Sequence, residues 1–161
     1  MEDWLKQVKE DWNKTSDSEW YKSLRTDEKI EELTNNPMSV FHPAVYELIR
    51  KYIPDLTDKR ILLPSSGDNH AAIAFALLGA KVTSADISER QLENASVIAG
   101  KLNLSIDFVC DNTMELSDIE SDAYDFVYTS NGTHSWIPDL DIMYHNISRV
   151  LKTNGYSIMY D

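Results

Sequence analysis

The chain has one cysteine, no long apolar run and few basic residues for its size. The single cysteine, Cys110, excludes an internal disulfide and any cysteine-built metal cluster, and it is typical of a reducing compartment. No apolar segment is long enough to span a bilayer, and the first residues do not resemble a signal peptide. We therefore expect a cytoplasmic protein that has no membrane partner.

The shortage of basic residues limits the partners further. The chain has 15 basic and 27 acidic residues, which gives a formal net charge of −12. A polyanion such as nucleic acid requires a basic surface, so we expect no nucleic-acid partner. The four histidines lack the spacing of metal ligands, so no metal site is expected. With 161 residues, of which 42% are hydrophobic, the chain is typical of a globular protein with a real core.

Residues 60–86 are the most informative part of the sequence. Arg60–Pro64 predicts a short strand, and a polar turn, an Ala-rich helix and a second strand that ends at Asp86 follow it. This pattern predicts a βαβ unit, in which ligands bind at the carboxyl ends of the strands. Asp86 lies 19 residues after Gly67, a spacing that lets a carboxylate reach ribose hydroxyls. The unit therefore predicts a cofactor that contains a nucleoside.

The turn itself favours one cofactor of this kind. A dinucleotide turn uses three glycines to bring backbone close to a pyrophosphate, whereas only Gly67 is glycine in this turn. Asp68 would also lie next to the phosphates, and two like charges about 4 Å apart near a surface repel by roughly 4 kcal/mol. S-adenosylmethionine carries a sulfonium and an ammonium and has no phosphate. It therefore fits this turn better than NAD does.

From residue 59 onwards the sequence resembles the class I S-adenosylmethionine-dependent methyltransferases. The matching segments, in the order of the family, are residues 61–69, 82–86, 106–112, 124–131 and 149–155. In the first motif Leu63 replaces the usual acid, and Ser65, Gly67 and Asn69 stand at the three glycine positions. The ordered set of segments carries the resemblance, because none of the motifs is specific alone.

The predicted fold is α/β, with a Rossmann-like, doubly wound parallel sheet. Alternating strand and helix patterns predict strands at residues 60–64, 81–85, 105–109, 124–130 and 156–160. Right-handed crossovers place them in the order 3-2-1-4-5. We expect residues 59–161 to form the S-adenosylmethionine-binding core and residues 1–58 to form an N-terminal helical cap or lid.

The resembled family has two further strands after the fifth, and they are absent from these 161 residues. We therefore expect a truncated form of a longer protein, or a partner that covers the fifth strand. An exposed and uncharged edge at residues 156–160 favours self-association.

The resemblance also implies the residues that bind the cofactor. They are Ser65, Ser66, Gly67, Asp68, Asp86, Ile87, Asp111, Asn112, Thr129 and Asn131. Asp86 would bind the ribose, and Asp111 with Asn112 would contact the adenine. Ile87 would pack against one face of the adenine, or would be an ordinary core residue.

Three histidine and aromatic features have two interpretations each. His134, in the loop after the fourth strand, is the predicted catalytic base, and a surface loop histidine is the favoured alternative. His42, before Pro43, is interpreted as a helix cap rather than a catalyst. Residues 20, 21 and 25 (Trp, Tyr and Arg) could form a lid over the cofactor, although plain helix packing is favoured.

The sequence therefore predicts a methyltransferase that acts on a small-molecule acceptor. A methyltransferase-like module that binds the cofactor without catalysis is the main alternative, and the altered first motif and the missing strands favour it. An NAD-dependent oxidoreductase is a second alternative, which Asp68 and the missing glycines disfavour.

Overall fold

The computed structural model describes residues 2–67, 70–130 and 132–160, with the backbone alone at Glu2 and Ser130. Five parallel strands form one sheet in the order β3-β2-β1-β4-β5, which confirms the predicted fold and strand order. The strands are β1 Arg60–Pro64, β2 Lys81–Asp86, β3 Ile106–Cys110, β4 Tyr124–Ser130 and β5 Leu151–Tyr160.

Helices cover both faces of the sheet, and side-chain caps begin several of them. The α-helices are α1 Glu2–Thr15, α2 Glu19–Ser23, α3 Asp27–Asn35, α4 Pro43–Tyr52, α5 His70–Leu77, α6 Glu89–Lys101 and α7 Leu140–Val150. Short 3₁₀ helices occupy Pro37–Val40 and Thr133–Trp136. The His42 Nδ1 accepts a hydrogen bond of 3.2 Å from the Ala44 N–H, which confirms His42 as a helix cap. Among the described residues, none of these helices could cross a membrane.

The core lies on both faces of the sheet, as expected for parallel strands that are buried on each side. Ile61 and Leu63 of β1 point to one face, where they belong to a cluster that includes Phe75 of α5. Leu62 points to the other face, where Met143 of α7 covers it. Helices α3 and α4 also contribute buried side chains to the first cluster, so these two N-terminal helices share the core of the sheet.

Strand β5 begins five residues earlier than the sequence predicts. Tyr124 pairs with Leu151 and Phe126 pairs with Tyr156, so four residues on β5 stand opposite one residue on β4. Within this irregularity Asn154 has left-handed backbone, with a φ of +67°. A Cβ on Gly155 would lie 3.0 Å from the Lys152 carbonyl oxygen, so a side chain here would need a small shift of its neighbours. The predicted strand boundary was therefore wrong.

Candidate functional site

The loop between β1 and α5 adopts the conformation of a glycine-rich turn although it has one glycine. Ser65 has a φ of +51° and Gly67 a φ of +55°, both in the left-handed region. The hydroxyls of Ser65 and Thr113 share a hydrogen bond of 2.7 Å, which ties this loop to the segment after β3. The buried Ser66 hydroxyl lies 2.6 Å from the Ser84 hydroxyl on β2. The serines therefore anchor the loop through side-chain contacts that glycine cannot make.

Asp86, the last residue of β2, has a buried carboxylate that is 7% exposed. Its Oδ2 accepts a hydrogen bond of 2.8 Å from the Gly67 N–H, and its Oδ1 accepts one of 2.8 Å from the Ser88 N–H. Burial raises the pKa of Asp86, and these two backbone donors partly oppose the rise. Each carboxylate oxygen has a further lone pair, so Asp86 can still accept hydrogen bonds from a ligand.

Gln91 of α6 lies against the loop, and the sequence indicated it only as a helix-capping residue. Its side chain is buried, and a Cβ on Gly67 would come within 2.0 Å of the Gln91 Oε1. A side chain at position 67 would therefore clash with Gln91, in addition to any ligand bound beside the loop.

A cavity lies at the carboxyl ends of β1 to β4, beside Asp86. Of the predicted site residues, it is lined by Ser65, Ser66, Gly67, Asp86, Ile87 and Asn112. The sequence did not predict that Gln91, Thr113, Met114, Thr133, Trp136 and Ile137 would line it as well. Loop residues after β3 and β4 have no local pattern that indicates a wall. Only their position at the same sheet edge could have suggested them.

Three predicted site residues that the structure describes do not line this cavity, namely Asp111, Thr129 and His134. Asp111 turns into its own loop, where its carboxylate accepts hydrogen bonds of 2.7 Å from the Asn112 N–H and 2.9 Å from the Asp118 N–H. Thr129 is buried and its hydroxyl donates to the Met159 sulfur at 2.9 Å. The predicted cofactor contacts of Asp111 and Thr129 stay predictions.

His134 lies beside the cavity, and two other predicted site residues lie outside the described residues. His134 lies in the 3₁₀ helix that also carries Trp136 to the cavity. Its Nε2 is 2.7 Å from the hydroxyl of Tyr144 on α7. Its predicted role as a base stays a prediction. Asp68 and Asn131 lie outside the described residues.

Helix α1 closes one side of the cavity with its apolar face. The residues that line it from the N-terminal region are Trp4, Leu5, Val8, Trp12 and Tyr21. The ring of Trp12 contacts that of Tyr21 at 6.5 Å between centroids and that of Trp136 at 5.1 Å. Tyr21 therefore lies where the lid interpretation puts it, whereas Trp20 is 62% exposed and does not line the cavity.

Polar contacts hold α1 and the turn after it against the start of α6. Lys9 forms an ion pair with Glu89, and the Asn13 Oδ1 accepts a hydrogen bond of 2.6 Å from the Ser88 hydroxyl. The Arg90 Nε and Nη2 donate to Asp17 at 3.1 and 3.0 Å. We call these contacts the α1–α6 latch. Ser88 also caps α6, and its N–H donates a hydrogen bond to Asp86. The latch therefore contacts the buried carboxylate through Ser88.

The cavity suits a nucleoside without phosphates better than a dinucleotide. The Ser66 N–H donates to the Ala85 carbonyl at 3.1 Å and the Gly67 N–H donates to Asp86, so both groups already have protein acceptors. A pyrophosphate relies on free N–H groups of this kind. Among the described residues, no lysine or arginine lines the cavity to replace them.

Comparison with known proteins identifies similar sequences and folds. The family model described as "Methyltransferase domain" matches residues 62–159, from β1 to β5. A comparison with curated protein sequences gave no match.

Several solved structures have the same fold. A protein from Pyrococcus horikoshii is 22% identical with a TM-score of 0.69, and the alignment covers 89% of this chain and 66% of that one. An S-adenosylmethionine-dependent methyltransferase from Clostridium acetobutylicum is 18% identical with a TM-score of 0.62, covering 70% of this chain and 46% of that one. A protein from Bacillus has a TM-score of 0.64 at 22% identity, with 73% of this chain and 50% of that one covered. This chain therefore spans about half to two thirds of the length of these neighbours.

Proposed function

We propose that this chain, which belongs to the methyltransferase domain family, transfers a methyl group from S-adenosylmethionine to a small-molecule acceptor. Membership of the family implies S-adenosylmethionine as the cofactor, which supplies an electrophilic methyl group on a positively charged sulfur. One observation supports the proposal most strongly. The buried carboxylate of Asp86 and the left-handed loop at Gly67 face the same cavity, at the carboxyl ends of adjacent strands.

The cavity walls suggest how the cofactor is held. Asp86 would accept hydrogen bonds from the ribose hydroxyls, and Ile87 and Met114 would pack against the adenine. Asn112 lines the cavity and would make a polar contact with the adenine, and Asp111 stays a predicted adenine contact. The loop at Gly67 would lie along the remaining part of the cofactor. Asp68 and Asn131 stay as predicted contacts.

The protein's main contribution to the reaction is alignment. Holding two reactants in line supplies about 7–11 kcal/mol of the barrier reduction, and displacement at a methyl carbon needs little else from the protein. Thr133 and Trp136 follow β4 and line the cavity, so we assign the acceptor to their side. Helix α1 would keep water from the reacting atoms.

Isothermal titration tests the cofactor and the class of the protein together. We expect S-adenosylmethionine and S-adenosylhomocysteine to bind and NAD not to bind. Binding of NAD in their place would overturn the proposal in favour of an oxidoreductase. A screen of methyl transfer from labelled S-adenosylmethionine to a panel of small amines, alcohols, thiols and acids then tests catalysis. Cofactor binding with no transfer to any of them would favour the non-catalytic module.

A further inference from the structure

Three aromatic rings line the cavity together, one from α1, one from α2 and one from the 3₁₀ helix after β4. Trp12 meets Tyr21 at an interplanar angle of 84° and Trp136 at 67°, so the rings form walls at steep angles to one another. We call Trp12, Tyr21 and Trp136 the aromatic wall. All three line the cavity, and Trp136 is 45% exposed, so its ring retains surface that a ligand can cover. Aromatic faces attract organic cations through their negative electrostatic potential.

The charges around the cavity favour a cation in the same place. Asp86 is the charged residue among the described ones that line it, and no lysine or arginine does so. The five residues outside the described ranges are Met, Asp, Asn, Asn and Asp, so none of them adds a basic side chain. The chain as a whole has a net charge of −12, which attracts cations over a distance. An acidic acceptor would find no basic side chain among the described residues that line this cavity.

The aromatic wall lies on the acceptor side of the proposed cofactor. Asp86 and Asn112, assigned to the ribose and adenine, follow β2 and β3, whereas Trp136 follows β4 on the other side of β1. The nucleoside therefore occupies one half of the cavity. The methyl group and its acceptor would occupy the half that the aromatic wall encloses.

We infer that the acceptor is an amine, which reacts at nitrogen as its neutral form after any bound proton has passed to water, and that the aromatic wall of Trp12, Tyr21 and Trp136 stabilises the positive charge that develops on that nitrogen. The inference rests on the proposed function. The nitrogen lone pair forms the new bond to the methyl carbon, the carbon–sulfur bond breaks, and its electron pair stays on sulfur. A neutral thioether and an ammonium product result, and a primary or secondary amine then releases one proton to water.

The charge balance of this step matches the cavity. One positive charge is present throughout, since it moves from sulfur to nitrogen as the bond forms. A cavity with aromatic faces and one carboxylate stabilises that charge at every stage. Methylation of a carboxylate or phosphate would instead bring an anion to a cavity that no described lysine or arginine lines, and it would leave no positive charge on the acceptor for the aromatic wall to stabilise.

Binding of three small probes to the protein saturated with S-adenosylhomocysteine tests the inference. Benzyltrimethylammonium, benzyl alcohol and benzoate share one ring and differ in charge. We expect benzyltrimethylammonium to bind most tightly and benzoate least. Trp136→Leu keeps an apolar side chain but removes the aromatic face, and it should weaken benzyltrimethylammonium by roughly 2- to 30-fold while leaving benzyl alcohol nearly unchanged. Tyr52→Leu, at an exposed position of α4 that does not line this cavity, is the matched control and should change neither.

Each other result contradicts the inference. Equal affinity for benzyltrimethylammonium and benzoate, or an equal loss of all three probes in Trp136→Leu, would show that the wall does not recognise charge. A variant that loses affinity for S-adenosylmethionine relative to S-adenosylhomocysteine, but keeps the probe, would assign the wall to the sulfonium instead. Failure of S-adenosylhomocysteine itself to bind would overturn the proposed function, and this inference with it.

Discussion

Ser65 and Gly67 show how single residues shape the cofactor loop. Both have left-handed backbone, which is easy for glycine and strained for serine. The Ser65 hydroxyl recovers part of that cost through its hydrogen bond to Thr113, so serine can stand at a glycine position of the family motif. A side chain at position 67 would have to displace Gln91, whose Oε1 lies 2.0 Å from where the Cβ would be.

Gly67→Ala should therefore lower both stability and cofactor affinity. The left-handed backbone costs an alanine about 1–2 kcal/mol, and its Cβ would displace the Gln91 side chain into the cavity. Thermal melting and titration with S-adenosylhomocysteine measure the two effects. Gly100→Ala is the matched control: nothing lies within 4 Å of its Cβ, and alanine within α6 should stabilise by about 0.5–1 kcal/mol. Parental affinity in Gly67→Ala would remove the loop from the cofactor site.

Asp86→Asn should weaken S-adenosylhomocysteine by roughly 10- to 150-fold, because a charge-assisted hydrogen bond to the ribose contributes about 1.5–3 kcal/mol. Asp125→Asn, at the opposite end of β4, is the matched control and should keep parental affinity. Titration of both variants decides the ribose assignment. An unchanged affinity in folded Asp86→Asn would contradict it.

The raised pKa of Asp86 also predicts a pH dependence, whose sign differs for binding and stability. Ribose hydroxyls bind the ionised carboxylate best, so cofactor affinity should fall as the pH drops through the folded-state pKa, and Asp86→Asn should abolish this dependence. Stability has the opposite sign. The folded pKa lies above the unfolded value, so the contribution of Asp86 is greatest below the unfolded pKa and is lost as the pH rises through the folded one. Titration and melting across pH 4–8 measure the two trends.

At the scale of elements, α1 joins the cofactor cavity to the start of α6. Its apolar face lines the cavity, and its polar face forms the α1–α6 latch with exposed charges. Exposed ion pairs contribute little to global stability. The latch should therefore control how often α1 opens rather than whether the protein folds.

Asp17→Ala tests the latch, because it removes the paired acceptor of Arg90. We expect faster amide hydrogen exchange in α1 and weaker cofactor binding, with the melting temperature nearly unchanged. Glu32→Ala breaks an exposed ion pair with Lys29 on α3 and is the matched control, which should alter neither measurement. Unchanged exchange in α1 would show that the apolar face alone holds the helix.

For the whole molecule, we predict that the 161-residue chain self-associates through β5. Among the described residues β5 pairs only with β4, and Tyr156 and Tyr160 are exposed on its uncharged second half, residues 156–160. Ser157→Lys should shift the chain towards monomer in light scattering, since a lysine on an edge strand opposes strand pairing. Ser96→Lys, an exposed position on α6, adds the same charge elsewhere and should leave the association unchanged. A monomeric parent chain would contradict the prediction.

The fold was predictable from the sequence because its signals are local and its topology rule is general. The apolar strand at Arg60–Pro64 and the helix cap at His42 each depend on a few neighbouring residues. Right-handed crossovers then leave one order for the five strands. The same reasoning brought Gly67 and Asp86 to adjacent strand ends, where they share a hydrogen bond.

The sequence by itself determined the strand order and brought Gly67 and Asp86 to adjacent strand ends. Only the tertiary structure decided which side chains enclose them. The spacing of Trp12 within α1 indicated an apolar helix face, but not that this face meets Trp136 across the cavity. Asp111 follows its strand as predicted and yet turns into its own loop. The direction of a side chain depends on contacts between residues far apart in the chain, and local periodicity carries no information about those contacts.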